Sequence, residues 1–258
     1  MGCISAIIEF GALREMDRKR GFYEKYVKRV FDVIFALVIL ILFFWLYLIV
    51  ALLIRIKLGS PIIFKQPRPG ILDPRTGKER IFSMYKFRTM TNEKDEEGKL
   101  LSDEERLTKF GRMLRNTSLD ELPEIINIIK GDMSFIGPRP QLVRDMVFMT
   151  ERQRMRHTAK PGMSGLAQIK GRNAVAWDEK LEWDLKYIER VTIWKDVKII
   201  AATIELLFFP KRGGEARGTD ITDDYGDVLL KEGRVSREEY DALQIKAMEL
   251  IAESEGLG

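Results

Sequence analysis

"NTSLDELPEIINIIKGDMSFIGPRP" occupies residues 116–140. Two adjacent carboxylates, Asp120 and Glu121, stand just ahead of a short apolar helical pattern that stops at Gly131, and the segment closes on Pro138-Arg139-Pro140. Proline is tolerated only in a first helical turn, where its missing N–H has no partner to lose. Pro123 therefore places the N-cap between residues 119 and 122, with Asp120 and Glu121 at the helix start. There, unpaired N–H groups and the helix dipole favour ionised carboxylates. An ionised acid is what a metal ligand or a carboxylate nucleophile must be. The local pattern leaves two readings open: acids that complement a helix dipole, and acids that form a reaction centre.

Outward from this stretch, basic residues recur in apolar or Gly/Pro contexts. "YKFRTM" at 85–90 puts Lys86 and Arg88 two apart, on one face of a strand. Arg68 stands in "RPG", Arg139 in "PRP" and Arg172 in "KGRN". Rigid loops that present a guanidinium suit bidentate recognition of phosphate. Each alone reads as a surface charge. Together with an acid pair and a membrane anchor they point to an anionic, phosphorylated substrate at a membrane surface.

The anchor is the run "VIFALVILILFFWLYLIVALLI" at 33–54, which is 22 residues without a charge, Gly, Ser or Pro. At about 1.5 Å per residue such a helix is roughly 33 Å long, the hydrocarbon thickness of a bilayer. A soluble core helix is rarely apolar on every face for this length. Hydropathy alone predicts a single crossing. Both flanks are basic, however: Arg18, Lys19, Arg20, Lys25, Lys28 and Arg29 precede the run, and Arg55, Lys57, Lys65 and Arg68 follow it. Basic clusters at both ends suit a helix that dips in and returns.

Composition narrows the chemistry. A single Cys (Cys3) excludes an internal disulfide, and one Cys with one His (His157) argues against structural zinc. Any metal is then a hard cation on carboxylates, most simply Mg²⁺. The formal net charge of +4 gives no indication of nucleic acid.

Along the chain, residues 61–70 and 81–90 read as extended segments around a polar, hairpin-like loop at 71–80. Residues 90–102 are charged and expected to be mobile, 104–114 helical, 141–157 helical, and 160–173 a Gly-rich loop or short strand. Two more helical patterns cover 177–187 and 194–209. "PKRGGEARG" at 210–218 reads as a linker, and "SREE" at 236–239 is a capping box that opens a helix ending near Gly256. That helix docks on its own domain or forms a homodimer contact.

In order, the motifs "KRVFD", "RPG", "YKFRTM", "LLSDEERLTKFGRMLRNTSLDELPEIINIIKGDMSFIGPRP", "RHTAKPGMSGLAQIKGRN" and "DLKYI" resemble the bacterial sugar transferases, the monotopic polyprenyl-phosphate phosphoglycosyl transferases. The match covers about residues 25–209, and it is most similar to the small members that are little more than the catalytic core. The fold this implies is α+β and helix-rich. It has a re-entrant N-terminal membrane helix, amphipathic interfacial helices and a small β element around the active site. The expected organisation is a lead at 1–24, the membrane helix at 25–58, a catalytic domain at 59–211 and a C-terminal extension at 212–258.

The resemblance also implies a reaction. A nucleoside diphosphate sugar, usually UDP-linked, gives its sugar-1-phosphate to undecaprenyl phosphate, with release of UMP, on the cytosolic face of the bacterial inner membrane. The family uses an Asp-Glu dyad with Mg²⁺, and the Asp forms a phosphosugar-aspartyl intermediate. That dyad falls on Asp120 and Glu121 as catalytic and metal-binding residues. Lys86, Arg88, Arg115 and Arg139 become phosphate contacts, while Arg68, Pro138, Pro140, Gly162, Arg172 and Asn173 complete the substrate-binding set. His157 is structural in this scheme. Two rival functions stay open, a ternary-complex transferase in which Asp120 is only a metal ligand, and an inactive membrane-tethered scaffold. One departure stands out. The family's mid-helix Ser-Pro corresponds to Phe44 and Trp45 here, so the usual causes of a sharp bend are missing.

Overall fold

The apolar run folds as two helices in a computed structural model that describes residues 18–171, 176–208 and 223–256. After a π-helical turn at Tyr23–Val27, α1 spans Lys28–Leu42 and α2 spans Phe44–Lys57. The two are bent by 65° across Phe43, whose φ of −108° and ψ of 13° break the helical ladder. Among the described residues no single helix is long and apolar enough to cross a membrane; only the bent pair together reaches that length and composition. The apolar run is therefore a broken helix, although it lacks the Pro, Gly or Ser that usually cause a bend. Trp45 supplies part of the reason, because its indole N–H donates to the Leu42 carbonyl at 3.1 Å beside the break.

The rest of the bend is imposed from outside. Ala36 of α1 is buried against Phe82, Met84, Ile125 and Ile128, while Val50 and Ile54 of α2 are buried with Phe87 and Leu114. Polar contacts fix the same placement. Arg29 donates to the carbonyls of Ile128 and Ile129, and Tyr47 Oη donates to that of Leu122 at 2.7 Å. Asp32 accepts from Ser134 Oγ and the Phe135 N–H at 3.0 and 3.2 Å. Around the break itself, Ile41, Leu42, Phe44 and Trp45 remain exposed.

Strands β1 (Ile63–Asp73) and β2 (Lys78–Phe87) form an antiparallel hairpin, with Phe64 opposite Lys86 and Arg68 opposite Phe82. Its turn closes at Gly77, in the left-handed region at φ 66°. The pairing extends further into the 71–80 segment than its polarity suggests. Residues 90–102, expected to be mobile, carry isolated bridges between Met90 and Leu107 and between Lys94 and Leu100.

Two short helices replace the one expected over 104–114. α3 (Asp103–Arg106) is capped by Ser102 and α4 (Lys109–Asn116) by Thr108, and each hydroxyl accepts a backbone N–H three residues on. The second cap interrupts the periodicity. A 3₁₀ turn at Leu119–Glu121 follows, entered through Ser118 at φ 55°. α5 (Glu124–Lys130) begins after Pro123 and ends at Gly131. The acid pair thus precedes the α-helix by a turn. α5 is fastened to β2 by Asn127, which is fully buried: its Oδ1 accepts the Tyr85 N–H at 3.0 Å and its Nδ2 donates to the Ser83 carbonyl at 2.8 Å. One side chain serves as a surrogate strand edge.

β3 (Ser134–Ile136) runs parallel to β4 (Gly162–Ser164). Between them the expected helix over 141–157 is divided into α6 (Val143–Met146), α7 (Glu151–Arg154) and a 3₁₀ turn at Met155–Thr158. α8 (Leu166–Lys170), α9 (Trp177–Ile188) and α10 (Ile193–Phe208) follow. In the C-terminal extension, α11 covers Tyr225–Lys231 and α12 covers Arg237–Gly256, started by Ser236 as its capping box predicts. α12 docks on its own chain, burying Ala247 with Val143 and Met146. The linker at 210–218 lies outside the described residues.

Candidate active site

The hairpin, the 3₁₀ turn and the loop after β3 converge on a cavity of about 1400 Å³. Asp120, Glu121, Lys86, Arg68, Arg88, Arg115 and Arg139 line its polar part. Phe31, Phe35 and Ile39 of α1 and Val197, Ile200 and Ile204 of α10 line its apolar part. Pro138, Pro140 and Gly162 are not at the cavity wall; they shape the loop behind it. Arg172 and Asn173 lie outside the described residues.

Glu121 is the electrostatic centre. Lys86 Nζ and Arg139 Nη2 reach the same oxygen, Oε1, at 2.9 and 2.8 Å. Burial opposes ionisation of Glu121, but these two cations override it and hold the carboxyl well below the usual range. Asp120 behaves oppositely. It is buried, its Oδ1 has no hydrogen-bond partner, and burial together with the Glu121 charge pushes its pKa up to about 6. A helix dipole does not keep this acid charged, as the sequence suggested. The turn carrying it is separate from the two-turn α5, and desolvation outweighs whatever that short helix supplies.

A third carboxylate escaped the sequence reading. Glu124 at the start of α5 is 2% exposed, and its Oε1 lies 3.3 Å from Lys86 Nζ without hydrogen-bond geometry. Burial and Glu121 raise its pKa to about 7. Its spacing from Asp120 and Glu121, one helical turn later, was the available signal.

The predicted arginines divide by task. Arg88 donates to the carbonyls of Leu58 and Ser60, closing the end of α2. Arg68 binds Gln66 Oε1 at 2.7 Å and the Pro140 carbonyl at 3.0 Å, while Arg115 Nε binds Thr89 Oγ1 at 3.1 Å. Neither has a carboxylate partner among the described residues. Both are half-buried, and a guanidinium at a cavity wall that makes no ion pair with a carboxylate favours an incoming anion. Burial lowers Arg68 to about 10, still charged at neutral pH.

Three glycines hold the site loop tightly. A Cβ on Gly162 would lie 2.0 Å from the Gly137 nitrogen, and one on Gly165 would lie 2.2 Å from the Gly137 carbonyl oxygen. His157, as expected, is structural: fully inside, its Nδ1 faces Glu79 Oε1 at 3.0 Å.

This arrangement of acids, cations and glycines coincides with the segment matched by a family model. The model described as bacterial sugar transferase matches residues 23–210. The chain belongs to the bacterial sugar transferase family. Among its relatives, the uncharacterised sugar transferase EpsL of Bacillus subtilis (strain 168) is 46% identical over 178 residues, spanning 69% of this chain and 85% of EpsL. A UDP-glucose:undecaprenyl-phosphate glucose-1-phosphate transferase of Klebsiella pneumoniae is 37% identical over 187 residues, 69% of this chain and 39% of that protein. A UDP-N-acetylgalactosamine-undecaprenyl-phosphate N-acetylgalactosaminephosphotransferase of Aeromonas hydrophila is 35% identical over 191 residues, 70% of this chain and 44% of that one. This sugar transferase therefore spans most of EpsL but less than half of the other two. Its C-terminal helices α11 and α12 lie beyond the family match.

Proposed function

We propose that this chain transfers a sugar-1-phosphate from a UDP-sugar to undecaprenyl phosphate, with Asp120 as a covalent nucleophile. The observation that carries the reading is the buried Asp120, whose Oδ1 has no partner, beside a Glu121 locked by Lys86 and Arg139. An Asp120 oxygen attacks the sugar-linked phosphorus, and the bond to the bridging oxygen breaks, releasing UMP. A phosphate oxygen of the polyprenyl acceptor then attacks the same phosphorus, and the bond to Asp120 breaks, regenerating the carboxylate. With a pKa of about 6, Asp120 is mostly ionised at neutral pH without an added base.

Arg68 and Arg115 supply positive charge for the phosphates, while Arg139 orients both Glu121 and the donor. Asp120 Oδ1, a buried acceptor with nothing to accept from, fits a hard cation. Asp120 and Glu121 would hold Mg²⁺ together with substrate phosphates. That ion would neutralise diphosphate charge and assist departure of UMP. The apolar wall between α1 and α10 suits the polyprenyl chain, and the bent pair α1–α2 suits a helix that enters one leaflet and returns. Both ends then lie on the cytosolic face, where nucleotide sugars are.

Trapping a phosphosugar adduct on Asp120, with a UDP-sugar and no acceptor, tests the covalent step. UMP release only when acceptor is present, with no adduct, would instead indicate a ternary complex in which Asp120 binds metal alone. A panel of UDP-sugars identifies the sugar. No UMP release with any donor would leave the scaffold reading.

A further inference from the structure

Pro138-Arg139-Pro140 has a single backbone N–H, because proline has none to give. Such a loop can be anchored chiefly through its carbonyls, and three successive ones are held. The Gly162 N–H donates to Pro138 at 2.9 Å, Arg156 Nη2 donates to Arg139 at 2.5 Å, and Arg68 Nη1 donates to Pro140 at 3.0 Å. The middle anchor is the unusual one. Arg156 is about 1% exposed and belongs to no part of the site described so far.

Its three nitrogens are all engaged. Nε and Nη2 reach Asp184 Oδ2 at 2.9 and 2.6 Å, and Nη1 faces His157 Nε2 at 3.2 Å. A guanidinium only donates, so His157 Nε2 must accept, and its proton sits on Nδ1 and is donated to Glu79. Burial lowers the His157 pKa, consistent with this neutral form. Glu79 is gripped in turn by Arg154 at 2.6 Å. Arg156, His157, Glu79 and Arg154 stay off the cavity wall, and Asp184 alone of the cluster reaches it.

We propose that Arg156, held by Asp184, is a positioning residue for the transfer reaction, fixing the Arg139 backbone so that its side chain meets Glu121 and the donor phosphates. The inference rests on the transferase reading above. Arg139 is its point of action: 41% of that side chain is exposed, so little packing sets its direction, yet it must reach Glu121 Oε1 at 2.8 Å. Lysine at 156 would keep the charge but lose the planar fork that spans Asp184, His157 and the carbonyl at once.

The test is a double-mutant cycle in the full-length protein, reading donor KM, kcat and inhibition by UMP. Arg156→Lys should raise donor KM roughly 10-fold or more and weaken UMP inhibition similarly, since misplacing a clamp by about an ångström is enough for such losses. In an Arg139→Ala background the same change should add little, because the residue it positions is gone. Unchanged kinetics in a folded Arg156→Lys protein would overturn the proposal. So would a loss that simply multiplies with that of Arg139→Ala. If Arg156→Lys does not fold, Asp184→Asn loosens Arg156 while keeping its shape, and the same two outcomes decide. Retained UMP release by Asp120→Asn would refute the transferase mechanism instead, which separates the two failures.

Discussion

Arg139 Nη2 donates to Glu121 Oε1 at 2.8 Å, and that single bond joins the phosphate-facing loop to the acid pair. Lys86 takes the same oxygen from the opposite side. Glu121 Oε1 is therefore taken by two cations, and Asp120 beside it keeps an oxygen without a partner.

Asp120→Asn should abolish turnover, a loss on the order of 10³-fold or more, because an amide is neither a good nucleophile nor a strong ligand for a hard cation. It should also stabilise the protein. The folded pKa is raised from 3.8 to about 6, so the fold binds the proton more tightly than the unfolded chain. Stability is then lost as pH rises through that window, by up to about 3 kcal/mol at neutral pH. A higher Tm for the inactive variant at pH 7.5 is the expected result; a lower one would show that the carboxylate is structurally required. Glu121→Gln should fold but be severely impaired, since it frees Lys86 and Arg139 together.

Activity should fall as pH drops through about 6, where Asp120 takes up a proton. Lys86 lowers that pKa, so Lys86→Met should move the acid limb of kcat/KM to higher pH. An unmoved limb would assign it to another group.

Much of this site was legible in the residues themselves. Asp120 and Glu121 were marked by adjacency and Pro123, and the cap at Ser236 by side-chain chemistry within three residues, whereas the cap at Thr108, which splits the helix expected over 104–114, was missed. Glu124, the arginine assignments and the middle anchor at Arg156 were not legible either. Lys86 and Glu121 are 35 positions apart, and Arg156 and Asp184 are 28 apart, so their pairing exists only once the hairpin and α9 are in place. Nothing local reveals that Arg88, besides lining the cavity, donates to the carbonyls at the end of α2.

Arg139→Ala should raise donor KM without unfolding the chain, and Arg139→Lys should recover only part of the loss, because a point charge lacks the fork. Steady-state kinetics with UDP-sugar varied decides this. Equal KM and kcat in the alanine variant would reduce Arg139 to a surface charge.

Gly162→Ala should be among the most damaging single-methyl changes, because its Cβ would meet the Gly137 nitrogen at 2.0 Å and neither backbone can yield without moving the loop. A destabilisation of about 1–3 kcal/mol or more is expected. Thermal melts with a far-UV circular dichroism check would show it, and a melt within a degree of the parent would mean that the strands separate freely.

A cysteine introduced near residue 10, in a Cys3→Ser background, should resist a membrane-impermeant thiol reagent applied to intact cells. Labelling from outside, with the catalytic domain still cytosolic, would show a true crossing and remove the re-entrant reading.

The bend at Phe43 has a bearing on how the protein is made. Its restraints come from far downstream: Tyr47 is tied to Leu122, 75 residues later, and Arg29 to Ile128, 99 residues later. When residues 33–54 leave the ribosome, none of these partners has been synthesised. At that moment the segment is indistinguishable from an ordinary stop-transfer sequence, and the insertion machinery meets a span rather than a hairpin. A re-entrant topology would then require the hairpin and α5 to arrive before lateral release into the bilayer is complete. A bend encoded within residues 33–54 would act at once; the contacts that hold this one wait for Leu122 and Ile128.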